Sequence, residues 1–186
     1  MKTAAKERVV DTAARLFYDQ GYTATGINQI IEEAGVAKAS LYQVFRSKEA
    51  LLLEYLDRIG AEWMRDFAQF REGIPGGKKS ILALFDYRIH LIKEHRYRGC
   101  GFMRIAYELP GLDEAGLDRV QQFKRSVKAY VATHVRLCSP GLGRQEAADL
   151  TETIYNFYEG SGSQAFFLRS VKPVEDARRI IQQFIR

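Results

Sequence analysis

The chain has 186 residues, 28 Lys/Arg against 23 Asp/Glu and a net charge of +5; that length suits one compact unit or two small ones, and that balance permits a nucleic-acid partner without requiring one. Two cysteines (Cys100, Cys138) and three histidines (His90, His95, His134) form no metal-ligand spacing and leave little material for a zinc site or a Ser/His/Asp triad; no cofactor is expected, and the thiols fit a reducing cytoplasm. No apolar run approaches the roughly 18 residues of a membrane span, since the longest, Ile81 to Ile92, is broken by Asp86, Arg88 and His90, and the amphipathic N-terminus MKTAAKERVVDTAARLF carries charges throughout, unlike a signal peptide.

A first helix is predicted over Lys6–Gln20, with Val9, Ala13, Leu16 and Phe17 inward and Gly21 ending it. Thr25 then stands where an N-cap hydroxyl would accept from an orphan backbone N–H. Ile27, Ile30, Ile31 and Ala34 follow at i, i+3, i+4 and i+7, one face of a second helix. Gly35 falls where a left-handed C-cap is needed, and Val36 can fill the angle between helices. A third helix, Lys38–Phe45, turns Leu41, Val44 and Phe45 inward. Its other faces carry Lys38, Ala39, Ser40, Tyr42 and Gln43, side chains short enough or polar enough to enter a major groove. This is a helix-turn-helix, and it points to double-stranded DNA as partner.

The run from Lys6 to Leu56 resembles the DNA-binding domain of the TetR family of bacterial regulators. The pieces that carry the resemblance are AARLFYDQGY, TGINQIIEEAGVAKASLYQVF and RSKEALL. Ser40-Leu41-Tyr42, with Phe45, Lys48 and Leu51 in register, is far more specific than the Ala-Gly-Val turn alone. Where many members place one or two histidines after the Leu-Tyr pair, this chain has Gln43 and Val44, so a phosphate contact at the second position is lost. Charge adds little. Residues 1–50 hold seven basic and six acidic side chains, although Val36–Lys48 has three basic residues (Lys38, Arg46, Lys48) and no acid.

Ser47 is expected to cap a fourth helix, Lys48–Phe70, with a stripe of Leu52, Leu56, Ile59, Trp63 and Phe67. Gly73-Ile74-Pro75-Gly76-Gly77 is the clearest break. Helices over Lys79–His95, Phe102–Leu109 (stopping at Pro110-Gly111), Glu114–Cys138 and Arg144–Arg169 follow, and Pro173 opens the last one. No strand alternation persists. The fold class is all-α, about nine helices, with a helix-turn-helix domain over 1–50 and a helical effector-binding and dimerisation domain over 51–186.

The long helix near the C-terminus is apolar on more than one face and contains Gly160, Ser161, Gly162 and Ser163. A mid-helix glycine costs roughly 1 kcal/mol relative to alanine, a cost that close approach at a two-fold interface would offset. The resemblance implies a four-helix homodimer interface from the last two helices, with Ile154, Gly162, Phe166, Ala177, Ile181 and Phe184 in it. Aromatics concentrate in the sixth to eighth helices, and Phe102, Tyr107, Phe123, Tyr155, Tyr158 and Glu159 are candidates to line an effector site; the resemblance implies a small-molecule effector without naming it. Glu108 is a second candidate orienting group or, just as well, a surface carboxylate; Cys100, in a Gly-rich break, could be a thiol open to electrophiles, but a buried structural cysteine is the favoured reading.

For DNA, Tyr42 and Lys48 are expected to hold phosphates, Lys48 aided by the dipole of the helix it opens. Lys38, Ala39, Ser40 and Gln43 are expected at base edges or phosphates, and Thr25 and Asn28 at the backbone. The expected function is a cytoplasmic repressor whose homodimer binds a palindromic operator and is released by effector. The rivals are a helical enzyme, for which no nucleophile–base spacing or paired carboxylates appear, and an architectural DNA binder, for which the head is too weakly basic.

Overall fold

The computed structural model describes residues 2–109 and 111–185, so Pro110 of the anticipated helix stop lies outside the described residues. Among those described, the chain forms nine α-helices and no strand, as the periodicity predicts. They are α1 (Lys2–Asp19), α2 (Ile27–Glu33), α3 (Lys38–Val44), α4 (Lys48–Phe70), α5 (Lys78–Glu94), α6 (Gly101–Glu108), α7 (Glu114–Cys138), α8 (Arg144–Leu168) and α9 (Lys172–Phe184). The first helix starts four residues before the expected Lys6, because the apolar period that reveals it begins only at Val9 while the helical backbone runs ahead of it.

By compactness the chain groups into two units, Met1–Glu62 with Cys100–Gln122, and Trp63–Gly99 with Phe123–Arg186. This grouping does not coincide with a division at residue 50, since the first turns of α4 bury Leu51, Leu52, Tyr55 and Leu56 and α6 is grouped with the same unit.

In the first unit, the inward face of α1 (Val9, Ala13, Leu16, Phe17) is buried together with Ile30 of α2, Leu41 of α3 and the α4 leucines. Apart from Ala13, each of these side chains contributes roughly 1.5–3 kcal/mol on burial. Phe17 meets Tyr22 and Tyr55 edge-on, with ring centroids 5.1 and 5.5 Å apart. Ion pairs Lys6–Glu54 (2.8 Å) and Arg58–Asp11 (2.5 Å) tie α1 to α4. α6 sinks Phe102 and Ile105 into this core. Its first residue is glycine because a Cβ there would lie 2.8 Å from the Tyr55 hydroxyl.

In the second unit, Phe67, Ile81, Leu84, Phe85, Val131, Ile154, Tyr158, Ala177 and Ile181 belong to one buried cluster. α9 packs on α5 and α8, locked to α5 by a two-pronged Arg178–Asp86 pair at 2.7 and 2.9 Å. His134 closes the start of α5, its Nδ1 accepting from the Gly77 N–H at 3.1 Å; burial and the nearby Arg71 cation lower its pKa, which keeps that nitrogen an acceptor.

The second unit corrects part of the interface expected from sequence. Ile154, Ala177 and Ile181 are fully used by their own chain, at 0, 4 and 0% exposure. A Cβ on Gly162 would meet the guanidinium end of Arg88 from the same chain. Phe166 and Phe184 do face outward, at 44 and 60% exposure, and Phe157, Phe167 and Leu168 join them.

Candidate nucleic-acid interface

α2 ends as its sequence requires. Gly35 adopts φ +61°, its N–H bonds the Glu32 carbonyl at 3.1 Å and the Val36 N–H reaches back to the Ile31 carbonyl at 3.2 Å. This paired reversal satisfies two terminal carbonyls and sets the angle at which α3 departs. α3 is then pinned by Leu41 (1% exposed) and, just past its end, Phe45 (4% exposed).

That anchoring decides what faces outward. Lys38, Ala39, Tyr42 and Gln43 are exposed and Ser40 is half-buried. Val44, expected inward, is 37% exposed. The helix stops there, and the extended backbone of Phe45 (φ −121°, ψ 115°) swings the ring into the core in its place. Asn28 lies exposed on α2, and Arg46 extends the basic edge beyond α3.

Ser47 caps α4 as expected, its Oγ accepting from the Ala50 N–H at 3.1 Å. Lys48, next in line, is half-buried, with its ammonium 4.1 Å from the centroid of the Tyr22 ring. Burial lowers its pKa, partly opposed by Glu108 and Glu49. Tyr22 is pushed up to about 12 by burial and by Glu49, Asp113 and Glu108, so its phenol stays neutral.

Thr25 is a correction. The residue before α2 is Gly26, with no side-chain cap. Thr25 is 1% exposed; its Oγ1 donates to the Gly21 carbonyl at 2.6 Å and accepts from Gln20 Nε2 at 3.2 Å. A hydroxyl so enclosed neither caps α2 nor reaches a phosphate.

The residues expected to line an effector site are divided between the two units. Phe102 is core of the first unit, and Tyr107 of the same unit is 75% exposed. In the second unit the Arg88 guanidinium lies 3.5 Å from the Tyr158 ring centroid and donates to Glu159 at 3.1 Å, while Lys124 pairs with the same carboxylate. Burial works against ionisation of Glu159, but the two cations hold its carboxyl below the usual range. Phe123 packs edge-on to Trp63, ring centroids 5.3 Å apart, and Tyr155 is half-buried.

Glu108, offered by the sequence as an orienting group or a surface carboxylate, has partners that the sequence does not reveal. Its carboxylate accepts from the backbone N–H of Tyr22 (3.0 Å) and of Thr23 (2.5 Å), in the turn that launches α2. No local pattern signals this, because the partners lie 86 and 85 residues apart. Among the described residues there is no group of three or more His, Cys, Asp or Glu placed to hold a metal, and no helix long and apolar enough to cross a membrane.

Residues 9–55 match the model of bacterial regulatory proteins of the tetR family. Over nearly its full length the chain is similar to the HTH-type transcriptional repressor NemR of Escherichia coli K12, at 25% identity over 187 aligned positions covering 97% of this chain and 93% of that protein. The crystal structure of E. coli NemR in its reduced form superposes with a TM-score of 0.83 at 22% identity, covering 98% of both chains. A TetR transcriptional regulator from Chloroflexus aurantiacus superposes with a TM-score of 0.82 at 26% identity, covering 99% of this chain and 96% of that one.

Proposed function

We propose that this chain, which belongs to the tetR family of bacterial regulatory proteins and is a regulator rather than an enzyme, represses transcription in the cytoplasm as a homodimer bound to a palindromic operator and released by a small-molecule effector. The observation that carries the DNA-binding reading is α3: Lys38, Ala39, Tyr42 and Gln43 stand exposed on a short helix whose opposite side is fixed by Leu41. Lys38, Ala39, Ser40 and Gln43 meet base edges or nearby phosphates, with Ala39 suited to a thymine methyl and Lys38 to a guanine. Tyr42, Asn28 and Lys48 hold backbone phosphates and set the register, with Arg46 adding a fourth contact on the same edge. The Tyr22 ring steadies the Lys48 ammonium, a cation–π contact of about 0.5–1 kcal/mol at such a site.

Residues 1–50 supply the reading head and 51–186 the effector-binding and dimerisation functions. Support for self-association comes from Phe157, Phe166, Phe167, Leu168 and Phe184, large apolar side chains that α8 and α9 leave exposed. The effector occupies the second unit beside Phe123, Tyr155, Tyr158 and Glu159. It acts by binding the DNA-competent and released states of the dimer unequally, which is the only way a ligand shifts such a balance. α4 runs unbroken from Lys48 to Phe70 and is the continuous lever of that change.

The test is a gel shift of the purified chain against its own upstream intergenic DNA, with excess random duplex and varied salt. A discrete, competitor-resistant complex is expected. Equal affinity for random duplex would replace the repressor reading with an architectural one.

A further inference from the structure

We infer that Glu108, the last residue of α6, is a positioning residue for DNA recognition, gripping the turn from which α2 is launched; the inference rests on the DNA-binding reading above. The geometry is that of a carboxylate laid across two consecutive amides, with Oε2 accepting from Tyr22 at 3.0 Å and Oε1 from Thr23 at 2.5 Å. Room for it is made by Gly21, whose backbone sits at φ +98° and whose Cβ, if present, would fall 3.0 and 3.1 Å from the two carboxylate oxygens. A side chain there would meet both the strained backbone and the grip.

The turn is held from a second direction by Thr25, whose N–H donates to the Tyr22 carbonyl at 3.1 Å and whose hydroxyl donates to the Gly21 carbonyl at 2.6 Å. Residues 21–25 are therefore fixed between α6 on one side and their own buried threonine on the other. Two things depend on them. One is the start of α2, and with it the α2–α3 hairpin. The other is the Tyr22 ring that supports Lys48. α6 does not need Glu108 in order to dock, since Phe102 and Ile105 are 3 and 1% exposed. The carboxylate is thus free to serve the turn rather than the helix that bears it.

Sign separates this role from its alternatives. A carboxylate in a DNA-reading unit repels phosphates, so removing it should strengthen binding if charge were all that mattered. A positioning role predicts the reverse. Glu108→Gln keeps one acceptor oxygen but sets an amide N–H against the second backbone N–H; Glu108→Ala removes both acceptors.

The experiment uses the full chain and its own upstream DNA, with affinity read by fluorescence anisotropy and backbone protection by hydrogen exchange. Glu108→Gln is expected to weaken binding about tenfold, the scale of one hydrogen bond to a charged group, and Glu108→Ala further. Protection should fall at Tyr22 and Thr23 while Ile30 and Leu41 keep theirs. Unchanged or tighter binding by Glu108→Gln would overturn the inference, as would loss of protection throughout α1–α3, which would make Glu108 a folding residue instead. A wild-type chain that binds no upstream DNA would sink the DNA-binding reading and this inference with it, whereas a normal wild-type complex matched by both variants sinks the inference alone.

Discussion

Thr25 and Tyr42 belong to one motif and carry the same kind of polar oxygen, yet the fold gives them opposite work. The Thr25 hydroxyl is enclosed between the Gly21 carbonyl and Gln20, so Thr25→Val leaves a buried carbonyl short of its donor at about 1–3 kcal/mol. Tyr42 is 43% exposed, and truncating an exposed side chain alters stability by about 0.5 kcal/mol or less. Urea denaturation and operator titration should therefore separate the two variants. Thr25→Val is expected to lose stability and, because its hydroxyl is one of the two holds on the turn before α2, part of its DNA affinity with it. Tyr42→Ala is expected to keep its denaturation midpoint and lose affinity about tenfold, as one charge-assisted phosphate bond requires. A stable Thr25→Val with impaired binding would return Thr25 to the phosphate backbone. In the sequence the two residues look alike because a threonine before a helix reads equally well as a cap or as a turn staple. Only the left-handed Gly21 and the distant Glu108 decide which it is, and neither constraint is local.

Most elements were legible because a helix writes its period into its own sequence, and because Gly35 and Ser47 carry stop and start signals whose physics is confined to a few residues. Partners were not legible. The stripe of Ala177, Ile181 and Phe184 on α9 declares an apolar face without saying whether it meets α5 and α8 of the same chain or a second copy. Its first two residues are 4 and 0% exposed and its third 60%, so one stripe is divided between the two uses. The glycines of α8 divide likewise. A Cβ on Gly162 would overlap Arg88, whereas a Cβ on Gly160 meets nothing within 4 Å. Gly162→Ala is expected to displace the Arg88 guanidinium and loosen its pair with Glu159, a loss that the better helix propensity of alanine, about 1 kcal/mol, partly offsets. Gly160→Ala is expected to spare the fold of the single chain and weaken self-association, if its bare surface is where a partner helix comes close. Thermal melts and sedimentation equilibrium on both variants check this; an unchanged dimer for Gly160→Ala would leave that glycine without an interface role.

For the whole molecule the question is why a DNA reader keeps so much apolar surface. Phe166, Phe167, Leu168 and Phe184 are 44, 72, 63 and 60% exposed, on a chain whose reading head offers only a seven-residue α3 to the groove. One such helix contacts a few base pairs, too few to define a site, and a two-fold pair of heads about 34 Å apart doubles the contact at no cost in new chemistry. Linking the heads makes the second binding event intramolecular, an advantage of roughly a hundredfold or more. Self-association and operator affinity should therefore fail together when only the apolar surface is altered. The double variant Phe167→Glu with Phe184→Glu changes side chains that contribute little to the single-chain core and places charges where two copies would bury them. Helical content by circular dichroism should be retained, sedimentation should report a monomer, and affinity for the full operator should drop at least about a hundredfold to that of an isolated half-site. Half-site affinity itself should be unchanged, because Lys38, Tyr42 and Lys48 are untouched. A monomeric variant that still binds the full operator as tightly as the wild type would show that a single head suffices, and the two-fold account of recognition would fall while the α3 contacts stood.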